Sequence, residues 1–570
     1  MHHPLILAFG ALAVFTAVST LPAEAQDQPA NVLIVMPDDF GVDLVGAYGE
    51  GAAPPCTPTM DALAAEGMLF RNAWANPSCS PTRAALLSGR YGFRTGIGQP
   101  GGGGTLPLSE TTLPEALRGS SAGYATAGLG KWHLATQNNP THPNDSGFDH
   151  FAGTITGSVP SYTSWTKTTN GVTAAQPETT YVTLDTTDDA LALIATLPEP
   201  WFVYVAYHAP HSPAHVPPAG LCPPASTCPN ALCGTLGGGS STAQRTKAMV
   251  EVLDAQFGRL MDVVDPMDTY VFFLGDNGTT GQVSEPPFSP MKSKGSVFEG
   301  GVNVPLIVRG PGVAVGESAS LIGVTDLFAT IGDLTGTGVT AQDSVSFAAV
   351  LANPAERPRL TVYAETFGPN GSSLPIADHD YTVRDERYKL LVRPGQPDAM
   401  YDLLADPFET VDLLSGATLA DQANYDRLLA HVEAIQGGAD LVAIPSSIPL
   451  GAGGTQQLVL SPGPERASEL HLVLGSASGT SPGLPVGSLT LPLVFDAYTD
   501  LSLTQAGGPI FVGTLGPIGS QGVAQATIAL PAGLSPTLQG LVLHHAYVTL
   551  DPVAGTVNFA SSPVALQLTL

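Results

Sequence analysis

A cysteine and an arginine four residues apart are the strongest chemical feature of the sequence. They open and close the run Cys79-Ser80-Pro81-Thr82-Arg83. If the run is helical, the two side chains lie one turn apart, where a guanidinium can orient a nucleophile and balance its charge. The alternative is an unreactive buried cysteine beside a surface arginine, which composition alone would make common. The spacing is compatible with a nucleophile at Cys79 that Arg83 orients.

A pair of adjacent carboxylates indicates a metal site. Asp38 and Asp39 follow the apolar run at residues 31–36. Two neighbouring acids at a strand end repel each other unless a cation holds them, and oxygen ligands favour a hard ion such as Ca²⁺. Asp276 and Asn277 stand in a similar place after another apolar run. Asp-Asn-Gly alone is a frequent turn, but a turn does not require a buried strand to deliver it.

Four apolar, β-branched runs must position these residues. They occupy residues 31–36, 124–129, 201–207 and 269–274, with helical periodicity between them. Such alternation is typical of an α/β domain with a largely parallel sheet. Polar residues follow every run, and sites in open α/β sheets form at the carboxyl ends of the strands. We therefore expect the polar residues to meet at one edge of the sheet.

The sequence changes character twice towards its C-terminus. Short strands near residues 381–384 and 388–392 precede a predicted helix near 421–435, which suggests a smaller α+β subdomain. Beyond about residue 445, Gly, Pro, Ser and Thr separate short strand-like runs, which predicts a separate all-β sandwich. This tail has no recognisable catalytic group, so scaffold, surface attachment and glycan contact all remain open as its role.

Composition limits the partners of the chain. Lys and Arg number 21 against 49 Asp and Glu, a formal net charge of −28 over 570 residues. This balance argues against nucleic acid or anionic membrane surfaces as partners. An anionic substrate must therefore be attracted by local positive charge.

The N-terminus is typical of a signal peptide. Residues 5–18 are apolar and Ala23-Glu24-Ala25 is a small-x-small cleavage site, so we expect residues 1–25 to be removed. The protein would then be secreted, periplasmic or at the cell surface, without stable membrane insertion. An uncleaved anchor is the alternative, because the first residues contain no Lys or Arg.

Five cysteines fit an oxidising compartment. Apart from Cys79 they are Cys56, Cys222, Cys228 and Cys233, which allow two disulfides with three possible pairings. A structural metal is the alternative, but no histidine lies within the 222–233 cluster.

The run from Cys79 to Arg83, with Leu87-Ser88-Gly89-Arg90 after it, resembles the signature of the formylglycine-dependent sulfatases. These are arylsulfatase-like members of the alkaline phosphatase superfamily. The resemblance implies that a formylglycine-generating or equivalent maturation enzyme oxidises Cys79 to formylglycine. A hydrated aldehyde suits sulfate transfer because one hydroxyl attacks sulfur while the other later expels sulfate.

Further motifs of this family recur between about residues 30 and 436. Lys131 and Lys294 resemble its sulfate-binding lysines, His133 a proton-handling histidine and His211 a substrate-facing histidine. The catalytic residues implied are Cys79, Arg83, Lys131, His133, His211 and Lys294. The Ca²⁺ ligands implied are Asp38, Asp39, Cys79, Asp276 and Asn277.

Three other positions qualify the resemblance. His208 is either a second site histidine or a structural one. Asn303 stands where the family commonly has arginine, so we expect an ion pair to be missing there. Residues 401–404, with Asp406, Pro407 and Glu409, resemble the closing motif of the family's small subdomain.

The resemblance implies an alkaline-phosphatase-like α/β fold, with a central mixed, mostly parallel sheet flanked by helices. We assign residues 26–375 to this catalytic domain, 376–440 to the α+β subdomain and 445–570 to a β-sandwich-like accessory domain. The expected function is an exported sulfuric ester hydrolase acting on a sulfated small molecule or polysaccharide. The alternatives are a formylglycine-dependent phosphonate or phosphodiester hydrolase, whose relatives usually have Asp-His at the place of Asp276 and Asn277, and an inactive glycan-binding surface protein.

Overall fold

A computed structural model describes residues 29–101, 104–371 and 375–570. The predicted signal peptide at residues 1–25 lies outside the described residues. Within the described ranges, no helix is both long and apolar enough to cross a membrane.

An α/β region occupies the N-terminal part of the described chain. Its strands are β1 (Asn31–Met36), β2 (Met68–Trp74), β3 (Ala125–Lys131), β4 (His150–Thr154), β5 (Thr166–Thr169), β6 (Val172–Ala175), β7 (Trp201–Ala206), β8 (Thr269–Leu274), β9 (Leu306–Arg309) and β10 (Gly316–Gly323). Its α-helices are α1 (Pro58–Glu66), α2 (Cys79–Ser88), α3 (Gly92–Thr95), α4 (Leu113–Gly119), α5 (His142–Asp145), α6 (Val182–Ile194), α7 (Thr242–Met261), α8 (Glu299–Val302), α9 (Asp326–Leu334) and α10 (Ala348–Ala352).

The strands of this region form a large mixed sheet, ordered β10-β2-β9-β8-β1-β7-β3-β4-β5-β6. The central run from β8 to β4 is parallel, whereas β9, β5 and β6 pair antiparallel with their neighbours. β1, β7 and β8 are buried along their whole length, since apolar clusters cover both faces of the sheet. The prediction of a mixed, mostly parallel sheet flanked by helices is confirmed.

A smaller α+β unit follows. The antiparallel strands β11 (Val362–Thr366), β12 (Asp380–Arg384), β13 (Tyr388–Val392) and β14 (Ala399–Asp402) form a sheet in that order, with helix α11 (Leu419–Gly437) beside it. Leu428 and Val432 of α11 contact the apolar face of this sheet. Its first strand, β11, ends before residue 376. β11 therefore belongs to the small sheet, although it falls within the range 26–375 that we assigned to the catalytic domain.

The C-terminal region is built mainly of antiparallel strands. Its elements are β15 (Leu441–Ile444), β16 (Ser447–Pro449), β17 (Gly454–Leu460), β18 (Leu470–Ser476), β19 (Leu484–Val486), β20 (Leu489–Leu491), α12 (Ala497–Thr504), β21 (Phe511–Val512), β22 (Leu515–Pro517), β23 (Ala524–Leu530), β24 (Val542–Leu550), β25 (Val557–Ala560) and β26 (Val564–Thr569). Two sheets, β15-β17-β23-β21 and β16-β26-β24-β18-β22, share one apolar core and form a sandwich. The expected region of antiparallel sheets is present, although it also contains one α-helix, α12, so it is not entirely β.

Short 3₁₀ helices occupy parts of the connections. They are Val42–Leu44, Gly46–Tyr48, Ala219–Leu221, Pro290–Lys292, Ile376–Asp378, Leu413–Gly416, Pro464–Arg466 and Pro536–Leu538.

The sandwich docks on the small subdomain through α11. Ala430 of this helix is fully buried against Val442 and Val459 of the sandwich. The Ser520 hydroxyl also donates to the Pro358 carbonyl oxygen, 3.3 Å away. α11 therefore contributes one face to each neighbouring unit.

Disulfides fix the loop that follows β7. Cys56 is bonded to Cys228 and Cys222 to Cys233, which leaves Cys79 as the free cysteine. The structure thus selects one of the three pairings that the sequence left open.

Candidate active site

Adjacent strands deliver the predicted site residues to one edge of the sheet. β8, β1, β7 and β3 are neighbours in that order; the first three each end just before one of the polar motifs, and β3 ends at Lys131, within its motif. Backbone hydrogen bonds join the loops beyond the strands, including Asp38 N–H to the Ala209 carbonyl (3.2 Å) and Phe40 N–H to the Asn277 carbonyl (3.0 Å). The expectation that parallel strand ends would bring these residues together agrees with this arrangement.

Buried acids and bases are paired directly at this edge. Asp38 accepts a hydrogen bond from Lys131, and Asp276 Oδ2 accepts one from Arg83 Nη2 at 2.8 Å. Asp276 Oδ1 also accepts from the Asp39 N–H, 2.9 Å away. Burial alone would raise the pKa of Asp38, but nearby cations, Lys131 foremost, hold it well below its usual range.

Two acceptor oxygens in this cluster suit a cation. Asp38 Oδ1 and Asn277 Oδ1 are buried and have no hydrogen-bond partner among the described residues. Ligand atoms of Asp38, Cys79 and Asp276 lie within 4.8 Å of one another, as do those of Asp38, Asp39 and His211. Carboxylate and amide oxygens left open in this way fit a hard ion such as Ca²⁺.

Asp39 reaches the cluster through an unusual backbone conformation. Its φ is +62°, a left-handed value that is uncommon for residues other than glycine. Asp39 Oδ1 accepts hydrogen bonds from Lys294 and from Asn277 Nδ2, the latter at 3.1 Å. Strained backbone of this kind persists where surrounding contacts enforce it, and it concentrates at functional sites.

Cys79 is the first residue of α2 and is only 1% exposed. Ser80, next to it, donates from its hydroxyl to the His133 carbonyl oxygen, 2.9 Å away, which ties the start of the helix to the end of β3. Burial raises the pKa of the Cys79 thiol, although Lys131 acts in the opposite direction. The side chain is thus held at a helix N-terminus, where partial positive charge favours an anionic group.

Arg83 lies one turn further along α2 and is completely buried. Its Nη1 donates to the Lys131 carbonyl (3.0 Å) and to the Tyr204 hydroxyl (3.2 Å). Together with the bond to Asp276, these contacts orient the guanidinium in one position. The sequence did not indicate Tyr204 because, within the apolar run of β7, it resembles an ordinary core residue.

His133 lies just beyond β3 in a second left-handed conformation, with φ of +60°. Its Nδ1 is buried without a hydrogen-bond partner among the described residues. Burial, with Lys131 nearby, holds the pKa of His133 well below its usual range, so the ring is neutral. A β-carbon on Gly157 would lie 2.1 Å from His133 Cε1, so the loop opposite requires glycine. Nothing in the sequence indicated this contact.

The two histidines after β7 have different surroundings. His211 is half-buried, whereas His208 is 1% exposed. The Tyr162 hydroxyl contacts the carbonyl oxygens of both, at 2.9 and 2.8 Å. Tyr162 is a further residue that the sequence did not indicate, since it belongs to a long loop without a motif.

A hydrogen-bond chain determines the tautomer of His208. Its Nε2 lies 2.8 Å from Thr154 Oγ1, and that hydroxyl donates to the Thr156 carbonyl at 3.0 Å. His208 Nε2 must therefore be the donor, which leaves Nδ1 as an unpaired buried acceptor. Burial and nearby Lys131 lower the pKa of His208 to about 3, so the ring stays neutral.

The segment that contains Lys294 joins the nucleophile and metal loops. Lys294 N–H donates to the Thr279 carbonyl (3.0 Å), and Gly295 N–H donates to the Pro77 carbonyl (2.8 Å). Near the end of the segment, Gly278 N–H donates to the Gly301 carbonyl, 3.0 Å away. A β-carbon on Gly278 would lie 1.9 Å from the Gly300 carbonyl oxygen, so the Asp-Asn-Gly motif needs its glycine for close approach rather than for a turn.

The side-chain amide of Asn303 contacts the backbone of β2. Its Nδ2 donates to the Arg71 carbonyl, 3.3 Å away. The neighbouring Glu299 instead pairs with two cations of the small sheet, Lys389 at 3.1 Å and Arg384 at 3.4 Å.

Comparison with known proteins assigns the family. The sulfatase family model matches residues 30–337, more than half of the chain. The chain therefore belongs to the sulfatase family.

Particular relatives extend this assignment. N-acetylgalactosamine-6-sulfatase of Sus scrofa is 31% identical over 352 residues, which cover 54% of this chain and 63% of that protein. The chain thus spans a little under two thirds of this curated relative. Among solved structures, Ps i-CgsB in complex with k-i-k-neocarrahexaose aligns with a TM-score of 0.59 at 22% identity, covering 71% of this chain and 92% of the other. BT4656 in complex with its substrate D-glucosamine-2-N,6-O-disulfate aligns with a TM-score of 0.56 at 21% identity, covering 72% and 98%.

Proposed function

We propose that this protein is an exported sulfuric ester hydrolase that uses formylglycine made from Cys79, with Ca²⁺ assistance. The observation that carries the proposal is the convergence of Arg83, Lys131 and Lys294 with the acidic cluster around the buried, free Cys79. Positive groups directed at a single buried position suit a tetrahedral anion whose charge increases during transfer. An overall acidic protein needs such local charge to bind an anionic substrate.

Two groups would complete the site. Ca²⁺, held by Asp38, Asp39, Asp276, Asn277 and residue 79, supplies a positive charge that polarises the sulfate ester. Formylglycine at position 79 supplies an attacking hydroxyl in place of a thiol. The unpaired oxygens of Asp38 and Asn277 support the metal set, because an ion would satisfy both.

The protein's own side chains have separate roles in this proposal. Lys131, Lys294 and His211 bind sulfate oxygens, and Arg83 orients residue 79 and balances its charge. Asp276 accepts a proton from the nucleophile, and His211 or Lys294 protonates the leaving oxygen. His133 accepts the final proton, a role that its neutral ring and unpaired Nδ1 favour.

The substrate class that we propose is a sulfated carbohydrate. The name of the pig relative specifies a sulfated amino sugar, and the structurally similar BT4656 binds a disulfated glucosamine as its substrate. A predicted signal peptide at residues 1–25 fits an enzyme that meets such sugars outside the cytoplasm.

Removal of the nucleophile is the direct test. We expect Cys79→Ala to lower the turnover of an aryl sulfate by at least about 10³-fold, because the covalent step is lost. Ser88→Ala is a matched control, since Ser88 is buried in the same helix and its hydroxyl contacts only nearby backbone: it donates to the Ala84 carbonyl (2.7 Å) and accepts from the Arg90 N–H (3.2 Å). Its turnover should remain within about threefold of the wild type, because only two local hydrogen bonds are removed.

Two measurements complete the test. Mass spectrometry of the peptide that contains residue 79, from the native host, should show an aldehyde rather than a thiol. Faster wild-type hydrolysis of an aryl phosphodiester than of the aryl sulfate would favour the phosphorus-cleaving alternative. An unmodified thiol together with glycan binding but no turnover would favour the binding-protein alternative.

A further inference from the structure

The segment from Lys292 to Glu299 presents Lys294 to the site, yet much of its support comes from outside the α/β region. Its inner contacts are the backbone bonds from Lys294 to Thr279 and from Gly295 to Pro77. Its outer side faces the small subdomain. The residues that support it there can therefore change the position of Lys294 without contacting a substrate.

Glu409, in the loop after β14, contacts both ends of this segment. Its carbonyl oxygen accepts a hydrogen bond from Lys292 Nζ at one end. Its Oε2 accepts from the Glu299 N–H at the other end, 2.8 Å away. Lys294 lies between these two attachments, so a single residue fixes the span that presents it.

The backbone conformation of Glu409 indicates that surrounding contacts hold the residue in place. Its φ is +57°, in the left-handed region, and the residue is 2% exposed. Within the described chain, few residues other than glycine have positive φ, and Asp39 and His133 of the site are two of the others. A non-glycine residue keeps this conformation where the surrounding contacts demand it.

The charge of Glu409 is balanced by a buried lysine. Lys389 Nζ lies 2.8 Å from Glu409 Oε1 and 3.1 Å from Glu299 Oε1, and its side chain is fully buried. The same ammonium group lies 4.8 Å from the centre of the Trp74 ring. Loss of one carboxylate would leave Lys389 with a single acidic partner and release one end of the segment.

We propose that Glu409 is a positioning residue that holds Lys294 against Asp39 and against the bound sulfate group. This inference rests on the proposed function for its substrate, but the contacts on which it depends are independent of the nucleophile. Its test is energetic coupling between Glu409 and Lys294 in the full-length, matured, Ca²⁺-loaded protein.

The experiment is a double-mutant cycle with Glu409→Gln and Lys294→Ala, assayed with an aryl sulfate. Glu409→Gln alone should lower kcat/KM roughly tenfold to a hundredfold, because a small misplacement of a binding group is costly. In the Lys294→Ala background the same substitution should change kcat/KM less than about threefold, since the group that it positions is absent. Inorganic sulfate should show the same pattern in its inhibition constant.

Asp402→Asn is the matched control. It removes one acidic charge from the neighbouring motif, where Asp402 Oδ2 pairs with the exposed Arg387 at 2.7 Å, and it keeps an oxygen that can still accept from the Leu404 and Ala405 N–H groups. Because that pair does not contact the Lys292 segment, kcat/KM should stay within about twofold of the wild type. Equal losses from Glu409→Gln with and without Lys294, or a loss fully explained by the unfolded fraction, would overturn the proposal.

A second variant covers the case in which Glu409→Gln does not fold. Lys292→Met removes the contact with the Glu409 carbonyl and the charge that lies 4.8 Å from the Phe298 ring and 5.6 Å from the Tyr401 ring, while the side chain can still cover both rings. It should show a smaller loss with the same non-additivity, and full additivity would count against the proposal. If the wild type hydrolyses no sulfate ester, the proposed function fails, and calorimetric binding of inorganic sulfate to the same variants still tests the coupling.

Discussion

The site edge of the large sheet and the C-terminal sandwich bury polar groups in different ways. Asp38, Asp276 and Arg83 are fully buried at the edge, yet Asp38 Oδ1 has no hydrogen-bond partner in the part of the chain that the structure describes. In the sandwich, the buried acid Glu469 accepts hydrogen bonds from Asn558 Nδ2 (2.8 Å) and from Thr549. The shared core of the sandwich is apolar, and buried atoms such as Gln456 Oε1 and His545 Nδ1, which have no partner among the described residues, belong to neutral groups rather than to carboxylates.

This difference indicates what stabilises each region. Burying a charge costs several kcal/mol unless partners satisfy it, so a cluster with open acceptor atoms is held in place by the rest of the fold. Burial of apolar groups requires no polar partners. It stabilises the sandwich by roughly 25 cal/mol for each Å² of apolar surface removed from water. We expect ligands to stabilise the edge, whereas the stability of the sandwich should come mainly from its apolar contacts and should not depend on a ligand.

The largest effect on stability should come from a charge placed in the apolar contact between α11 and the sandwich. Ala430→Asp puts an unpaired carboxylate at a position that is fully buried beside Val442 and Val459. We expect a loss on the order of 3–5 kcal/mol, seen in differential scanning calorimetry as earlier, separate unfolding of the sandwich. Leu419→Asp is the control, because Leu419 is 76% exposed at the start of the same helix. Equal unfolding curves for the two variants would show that the sandwich does not depend on this contact.

A metal ion should stabilise the edge and leave the sandwich unchanged. At a free Ca²⁺ concentration of 100 times Kd, we expect about 2.7 kcal/mol of added stability, lost on chelation. Asn277→Ala removes an unpaired oxygen and should abolish most of this gain. Asn303→Ala is a matched control, since Asn303 also has a buried, unpaired Oδ1 but lies outside the acidic cluster. An unchanged Ca²⁺ effect in Asn277→Ala, measured by calorimetry, would contradict the proposed ligand set.

The sequence could predict those features of the two regions that depend on local patterns of residues. Asp38, Asp276 and Lys131 were found because each follows an apolar strand that is buried on both faces, and the order of neighbouring strands brings such ends together. The sandwich was predicted from turn residues between short apolar runs. Its docking on α11 was not, because the α11 face that carries Ala430 looks like any other helix face in the sequence.

Contacts between distant residues explain what was missed. Tyr204 was hidden because an aromatic residue in a buried strand needs no functional reason. The bond between Glu409 and Glu299 joins residues 110 positions apart, and no spacing rule in one sequence predicts such a pair. Likewise, four cysteines allow three pairings, and only the positions of the loops select Cys56 with Cys228.

The prediction with the smallest expected effect concerns a buried acid whose oxygens have hydrogen-bond donors without a ligand. Asp254 of α7 is 1% exposed, but its carboxylate accepts from the N–H groups of Thr59 (3.0 Å) and Met60 (2.9 Å) at the start of α1. Burial raises the pKa of Asp254 to about 6, so the folded protein binds a proton here before the unfolded chain does. Stability from this group must therefore rise as pH falls through the folded pKa, and it stops rising below the unfolded pKa.

The variant Asp254→Asn removes this proton uptake while keeping one acceptor oxygen for the helix. Between about pH 6.5 and pH 5, the free energy of unfolding of the wild type should rise relative to the variant by about 1 kcal/mol. Urea denaturation at each pH measures this difference. The Ca²⁺ effect should be the same in both proteins, because the oxygens of Asp254 already have donors and lie outside the acidic cluster. A difference that does not change with pH would show that the pKa of Asp254 is not raised in the folded protein. A Ca²⁺ effect that is lost in Asp254→Asn would show that burial alone, rather than unpaired acceptor atoms, determines which acids respond to the metal.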